Sequence, residues 1–182
     1  DSVTNIERSA FNNTGFYNNE SNWENGVLYI GNSLIKADSE MLPAEYSIKE
    51  NTNVIADSAF YDCVNLQSIE IPSGVTSIGS EAFSFCYALK SVRCLSEEVP
   101  SVGGGVFYNV PSDMQIQVPE ASIDAYTATE PWSNYTIMKI YPYHYGESVV
   151  EEYEGYSLRF TVTSIEPVEC EVICSNTPTT PT

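Results

Sequence analysis

The chain has 182 residues, 42% of them hydrophobic, so it can form a substantial core and wholesale disorder is excluded. Twenty-five acidic residues against 7 basic ones give a net charge of −18, which makes nucleic acid a poor partner and disfavours anionic lipid surfaces. No apolar run approaches the roughly 18–20 residues of a membrane-spanning helix, and no membrane insertion is expected.

The first patterned segment is Ile6-Glu-Arg-Ser-Ala10-Phe11, an Ile-x3-Ala-Phe core that returns downstream. Phe16-Tyr17 to Trp23 follows, polar with embedded aromatics. It reads either as a sugar-stacking surface or as rings packed under a long loop, and packing is favoured. Val27 to Ile30, Gly31-Asn32 and Ser33 to Lys36 predict a β-hairpin with a type II′ or I′ turn. Tyr46-Ser47-Ile48 reads as a short strand.

The strongest signal begins at Ile55. Ile78 lies 23 residues after Ile55, and the same offset joins Ala59 to Ala82, Phe60 to Phe83, Cys63 to Cys86, Leu66 to Leu89, Ile69 to Val92 and Ile71 to Cys94. Val102 and Val106-Phe107 continue the pattern with one residue inserted, since Phe83 to Phe107 is 24. Gly103-Gly104-Gly105 is expected to absorb that extra residue in a widened turn. Ile116-Gln117-Val118-Pro119 repeats Ile69-Glu70-Ile71-Pro72. Units of this size bury little apolar area alone, and stacking them makes one continuous core.

Alternation in Ile69-Glu70-Ile71 places two side chains inward and one outward. The outward column is predicted to be Ser47, Glu70, Arg93, Gln117, with Glu45, Ser68, Ser91, Gln115 beside it. Glu70 and Arg93 then become neighbours, and a solvated cross-strand pair is favoured over a binding role. Phe60 and Phe83, with Ala59 and Ala82, should form an internal spine. Cys63 and Cys86 share a column; they read either as a pair within disulfide distance or as buried free thiols acting as small apolar fillers, and the second is favoured. Five cysteines do not call for a disulfide scaffold at this length.

The run from Ile55 to Ile78 reads Ile-x3-Ala-Phe-x2-Cys-x2-Leu-x2-Ile-x-Ile-Pro-x2-Val-x2-Ile. It resembles the BspA-like leucine-rich repeats of bacterial surface proteins. The resemblance implies export, surface display and adhesion to a host or partner macromolecule. Adhesion by such proteins has no fixed residue motif, so the resemblance carries over no binding residue. About four units are legible, and the third lacks the Cys.

Glu120 to Ala128 is the best helix candidate, with Ser122 as N-cap and Ile123 and Tyr126 on one face. With Trp132 and Tyr135 to Ile137 it is expected to cover the open end of the stack. Such arrays end with a similar Val-Pro-x-x-Ser-x-x-Ala-Tyr segment, here Val118 to Tyr126. Composition changes near Ile140. Residues 141–147 read as a linker, Tyr156 to Ile165 and Glu169 to Cys174 as strands, and Thr177 to Thr182 as a linker-like tail.

Little chemistry is legible. The three glycines lack the Lys-Ser/Thr of a phosphate loop. His144, the one histidine, has no Gly-x-Ser-x-Gly partner. Zinc spacing is absent. Glu97-Glu98 and Glu151-Glu152-x-Glu154 read as solvated acidic faces rather than Ca²⁺ sites. A glycosidase needs only two well-placed carboxylates, but 25 acids make such a pair easy to imagine and hard to credit.

The expected fold is mainly β: a short right-handed leucine-rich-repeat solenoid of about 23-residue repeats, with a C-terminal helical cap and a truncated β module. Residues 1–140 would form the repeat domain and 141–182 a linker plus partial module. The expected function is non-enzymatic, a cell-surface interaction or adhesion protein, monomeric, without cofactor or metal. Its ligand would be a protein or a glycan. Alternatives are a carbohydrate-binding module, with Tyr17, Trp23, Trp132 or Tyr135 stacking on sugars, and a structural spacer. The chain is expected to be part of a longer exported protein whose signal and anchor lie outside this sequence.

Overall fold

A computed structural model describes residues 3–140, 148–153 and 156–161. The chain divides into two compact units, residues 1–140 and 141–182, and is mainly β with one α-helix among the described residues.

In the first unit the strands are β1 (Trp23–Glu24), β2 (Val27–Ile30), β3 (Ser33–Ala37), β4 (Glu45–Ser47), β5 (Val54–Ile55), β6 (Ser68–Ile71), β7 (Ser77–Ile78), β8 (Ser91–Cys94), β9 (Ser101–Val102), β10 (Gln115–Val118) and β11 (Thr136–Lys139). They form two sheets, ordered β1-β2-β3-β5-β7-β9 and β11-β10-β8-β6-β4. From β3 to β9 the first sheet is parallel, and the second is parallel throughout. From β5 to β10 each coil of chain lends a strand of 2 residues to the first sheet and one of 4 residues to the second.

Two antiparallel hairpins open the unit. Asn25 and Gly26 both have positive φ, 50° and 78°, and join Glu24 to Val27. That is the signature of a type I′ turn, whose twist suits paired strands. Between β2 and β3, Gly31 alone of the turn pair has positive φ, 55°, which selects type II′.

The 23-residue offset becomes strand register. Ile69 pairs with Val92 and Ile71 with Cys94, while Ile55 pairs with Ile78. In β6, β8 and β10 alternate side chains are buried and half-buried, as a pleated strand over a core requires. Phe60, Phe83 and Phe107 lie on successive coils. Their ring centroids are 5.2 and 5.8 Å apart, and their planes are 12° and 17° from parallel. The turns bond to each other too: Phe60 N–H donates to Ala82 O and Phe83 N–H to Val106 O. Cys63 and Cys86 are buried free thiols, and the Cys86 thiol donates to Phe60 O at 3.1 Å.

The extra residue does not sit at the glycines. Ile71 pairs with Cys94, but Ser77 pairs with Ser101, so the insertion lies between Cys94 and Ser101. Gly103 has another reason to be glycine. A Cβ there would fall 2.3 Å from Ser80 N, and one on Gly79 would fall 2.3 Å from Asp57 N. The coils touch backbone to backbone at this column.

The faint first copy repeats the turn but not the stacking. Ser9 and Asn13 have φ of 67° and 61°, matching 56° and 62° at Ser58 and Asp62. The local hydrogen bonds match as well, Ala10 to Glu7 like Ala59 to Ala56. Yet Ala10 is exposed and Phe11 only half-buried. The rung before Phe60 is supplied by β3, whose Ala37 N–H donates to Ala59 O.

Beyond Pro119 come a 3-10 turn (Glu120–Ser122) and α1 (Ile123–Thr127). Ser122 does not cap the helix through its side chain; its Oγ donates to Pro119 O at 2.9 Å. Tyr126 and Trp132 are fully buried, with Trp132 edge-on to Phe107 at 5.4 Å and to Tyr126 at 5.2 Å. The Tyr126 hydroxyl donates to Ser96 O at 3.0 Å. β11 continues the parallel sheet beside β10.

In the second unit, β12 (Ser148–Tyr153) pairs antiparallel with β13 (Tyr156–Thr161). A strand starting at Tyr156 was expected. Its partner falls on Glu151-Glu152, read from sequence as an acidic face. Residues 141–147 with His144, Glu154, the stretch beyond Thr161 with Cys170 and Cys174, and the tail lie outside the described residues.

Candidate functional site

The outward column forms as one row. Ser47 pairs with Glu70, Glu70 with Arg93 and Arg93 with Gln117, and Gln117 pairs onward with Met138. Arg93 and Glu70 approach to 3.5 Å, with side chains 26% and 32% exposed. The two charges meet within the row, while Arg93 Nε is buried without a hydrogen-bond partner. Ser47 is exposed and Gln117 half-buried, so the row presents polar groups with modest projection.

The aromatic candidates separate. Tyr17 and Trp23 meet edge to face at 5.3 Å, and the Trp23 indole N–H donates to Tyr17 O at 2.9 Å. Both are half-buried, so they brace the loop against itself. Trp132 is withdrawn from any surface role, because it is fully buried against Phe107 and Tyr126. Tyr135 is half-buried, edge-on to Phe107 at 5.5 Å, and its hydroxyl donates to Phe107 O. Trp132 and Tyr135 both meet Phe107 edge to face, at 74° and 79°. Trp23 and Trp132 therefore offer no shared sugar platform.

A pocket of about 190 Å³ lies where the N-terminal turn crosses the coils, lined by Arg8, Tyr17, Lys36, Asp57 and Ser58 among others. Lys36 Nζ donates to Ser58 O at 2.8 Å, and burial lowers its pKa from the ordinary lysine value. Arg8 and Lys36 are balanced by Glu7 and Asp57 in the same lining. Among the described residues no three His, Cys, Asp or Glu side chains gather to hold a metal.

Sequence reasoning missed an aromatic ridge along the turns. Tyr61 meets Phe85 at 5.2 Å, and Phe85 meets Tyr87 at 5.9 Å and Tyr108 at 5.5 Å, at interplanar angles of 58°, 75° and 74°. Tyr87 and Tyr108 are 55% and 58% exposed. The Arg8 guanidinium lies 4.8 Å from the Tyr61 ring centroid, and its Nη1 is 3.6 Å from Glu81 Oε2. Phe85 has φ of 63°, a left-handed conformation that costs a bulky residue about 1–2 kcal/mol. One signal was available: three of the four rings replace residues that are Ser, Asp or Asn in a sister turn.

No helix among the described residues is long and apolar enough to cross a membrane. No curated protein and no solved structure matches the chain. A family model of the BspA type leucine-rich repeat region matches residues 4–129 in six copies. With most of its length matched by that model, and with the repeat spacing converted into stacked parallel rungs, the chain belongs to the BspA-type leucine-rich repeat family.

Proposed function

We propose that this chain is a non-catalytic interaction protein of a cell surface, binding a partner macromolecule through the outward face of its repeats. In this reading the coils form a short solenoid, monomeric and exported, with residues 120–140 closing its last rung. The observation that carries it is the register. The inward columns are used up by packing, Phe60 on Phe83 on Phe107, while the outward columns line up as continuous rows of polar and aromatic groups. A stack of this kind creates extended surface at fixed spacing, which suits recognition of a macromolecule. The family assignment supports the same reading.

The test sets the immobilised chain against purified extracellular-matrix proteins and a glycan array in parallel. Saturable binding to one class, competed by free chain, is the expected result. Silence on both would overturn the reading in favour of a spacer.

A further inference from the structure

The turns of successive coils share two left-handed residues. The second of these is Asn13, Asp62 and Asn109 in three turns, with φ of 61°, 62° and 58°, but Phe85 in the fourth, with φ of 63°. Asn and Asp take this conformation readily, because a short polar side chain bonds locally; a phenylalanine has no such relief. Strain of this kind persists where the surroundings impose it, and it collects at functional positions. Backbone bonds impose it here: Phe85 N–H donates to Tyr108 O at 2.9 Å and Tyr87 N–H to Phe85 O at 3.0 Å. The ring does not enter the core in return. Phe85 is half-buried, and it gathers Tyr61, Tyr87 and Tyr108 around itself at the surface.

We propose that the ridge of Tyr61, Phe85, Tyr87 and Tyr108 is a docking site for an extended, arginine-bearing segment of a partner protein. This rests on the reading of the chain as an interaction protein, and it names the chemistry of the partner. Two observations select a basic occupant. The chain carries a net charge of −18, so a cationic segment is drawn to it at long range. The ridge also already holds one guanidinium: Arg8 lies over Tyr61 with Glu81 at its edge. The part of that arrangement a partner's arginines would repeat is the cation on a ring, on Tyr87 and Tyr108, which are 55% and 58% exposed. Arginine suits it better than lysine, because its planar, weakly hydrated guanidinium stacks on rings. The rings stand at 58° to 75° to one another. They offer separate faces to several cations rather than one flat platform to a sugar.

The experiment titrates the full chain with labelled peptides of alternating arginine and glycine, with the lysine counterpart of equal charge, and with an uncharged serine–glycine peptide, at low and high salt. The arginine peptide should bind tightest, and the serine peptide not at all. Tyr108→Ala and Phe85→Asn should each weaken the arginine peptide by roughly tenfold, as loss of an interface anchor does. Phe85→Asn places at this turn the residue type that Asn13 and Asn109 already carry at the same φ, so the variant should keep the parent's circular dichroism spectrum and cooperative melting; this separates lost docking from lost folding. Equal affinity for arginine and lysine peptides, or a Phe85→Asn chain that binds like the parent, would overturn the proposal. So would glycan binding that Phe85→Asn abolishes, because the ridge would then be a sugar site. Each of these three results leaves the broader reading standing, since that reading falls only if the chain binds neither the matrix proteins nor the glycans.

Discussion

Phe60 and Phe83 stack nearly parallel, with centroids 5.2 Å apart and planes 12° off, although 23 residues of chain separate them. Both are completely buried. The pair shows how a linear period becomes a core: each ring is the floor of one coil and the ceiling of the next. Phe60→Ala leaves a cavity that coils bonded to each other through their backbones close only in part, at a cost of about 3–5 kcal/mol. Chemical denaturation followed by circular dichroism measures it. A midpoint within error of the parent would refute the spine.

The glycine columns test a different contact. Gly79→Ala and Gly103→Ala each drive a Cβ to 2.3 Å from backbone nitrogen. Backbone cannot swing aside as a side chain can, so each should destabilise by about 1–3 kcal/mol or more. Gly104 has nothing within 4 Å of its Cβ position, and Gly104→Ala should stay within about 0.5 kcal/mol of the parent. Equal melting temperatures for the Gly103 and Gly104 variants would show that the close approach is not real.

Burial pushes the Cys63 and Cys86 thiols up to about 12 from 9.0. A group whose folded pKa is raised keeps its proton in the fold after the unfolded chain has lost it. Its contribution is therefore complete below about pH 9 and is lost as pH rises towards about 12. Stability should fall with pH across that window, and the Cys63→Ala, Cys86→Ala double variant should show a shallower slope. In the native chain near neutral pH, alkylation should spare Cys63, Cys86 and Cys94, which are all buried; peptide mapping by mass spectrometry reads each site. Rapid labelling of Cys86 without denaturant would contradict the packing.

The Glu70–Arg93 pair should matter little to stability. At 3.5 Å and partly exposed, its coupling in a double-mutant cycle should be about 0.2–1 kcal/mol, shrinking with added salt. A coupling several times larger would mean that the row is more deeply shielded than its exposure indicates.

Legibility followed the nature of the contact. The hairpin at Gly31-Asn32 and the columns through Phe60, Cys63 and Ile69 were readable, because turn chemistry and period are local properties of the chain. Asn25-Gly26 carried an equally plain turn signal that composition of the polar loop obscured. Trp132 carried two readings, packing at the end of the repeats and stacking on a sugar, because an aromatic in a polar stretch looks the same in both; the chain buries it against Phe107. Ser122 misled, since its hydroxyl found Pro119 O before it reached a helix amide.

By itself the amino-acid order determined the repeat length, the inward columns, the outward row and the family, since each follows from which residues recur at one offset. Only the folded chain decided where the extra residue bulges, that Ala10 and Phe11 of the first turn stay out of the core, that Trp132 lies under cover, and that Tyr61, Phe85, Tyr87 and Tyr108 meet. Those outcomes depend on what the neighbouring coil presents at each point, and a side chain's neighbours across a turn are set by three-dimensional packing, which no local period encodes.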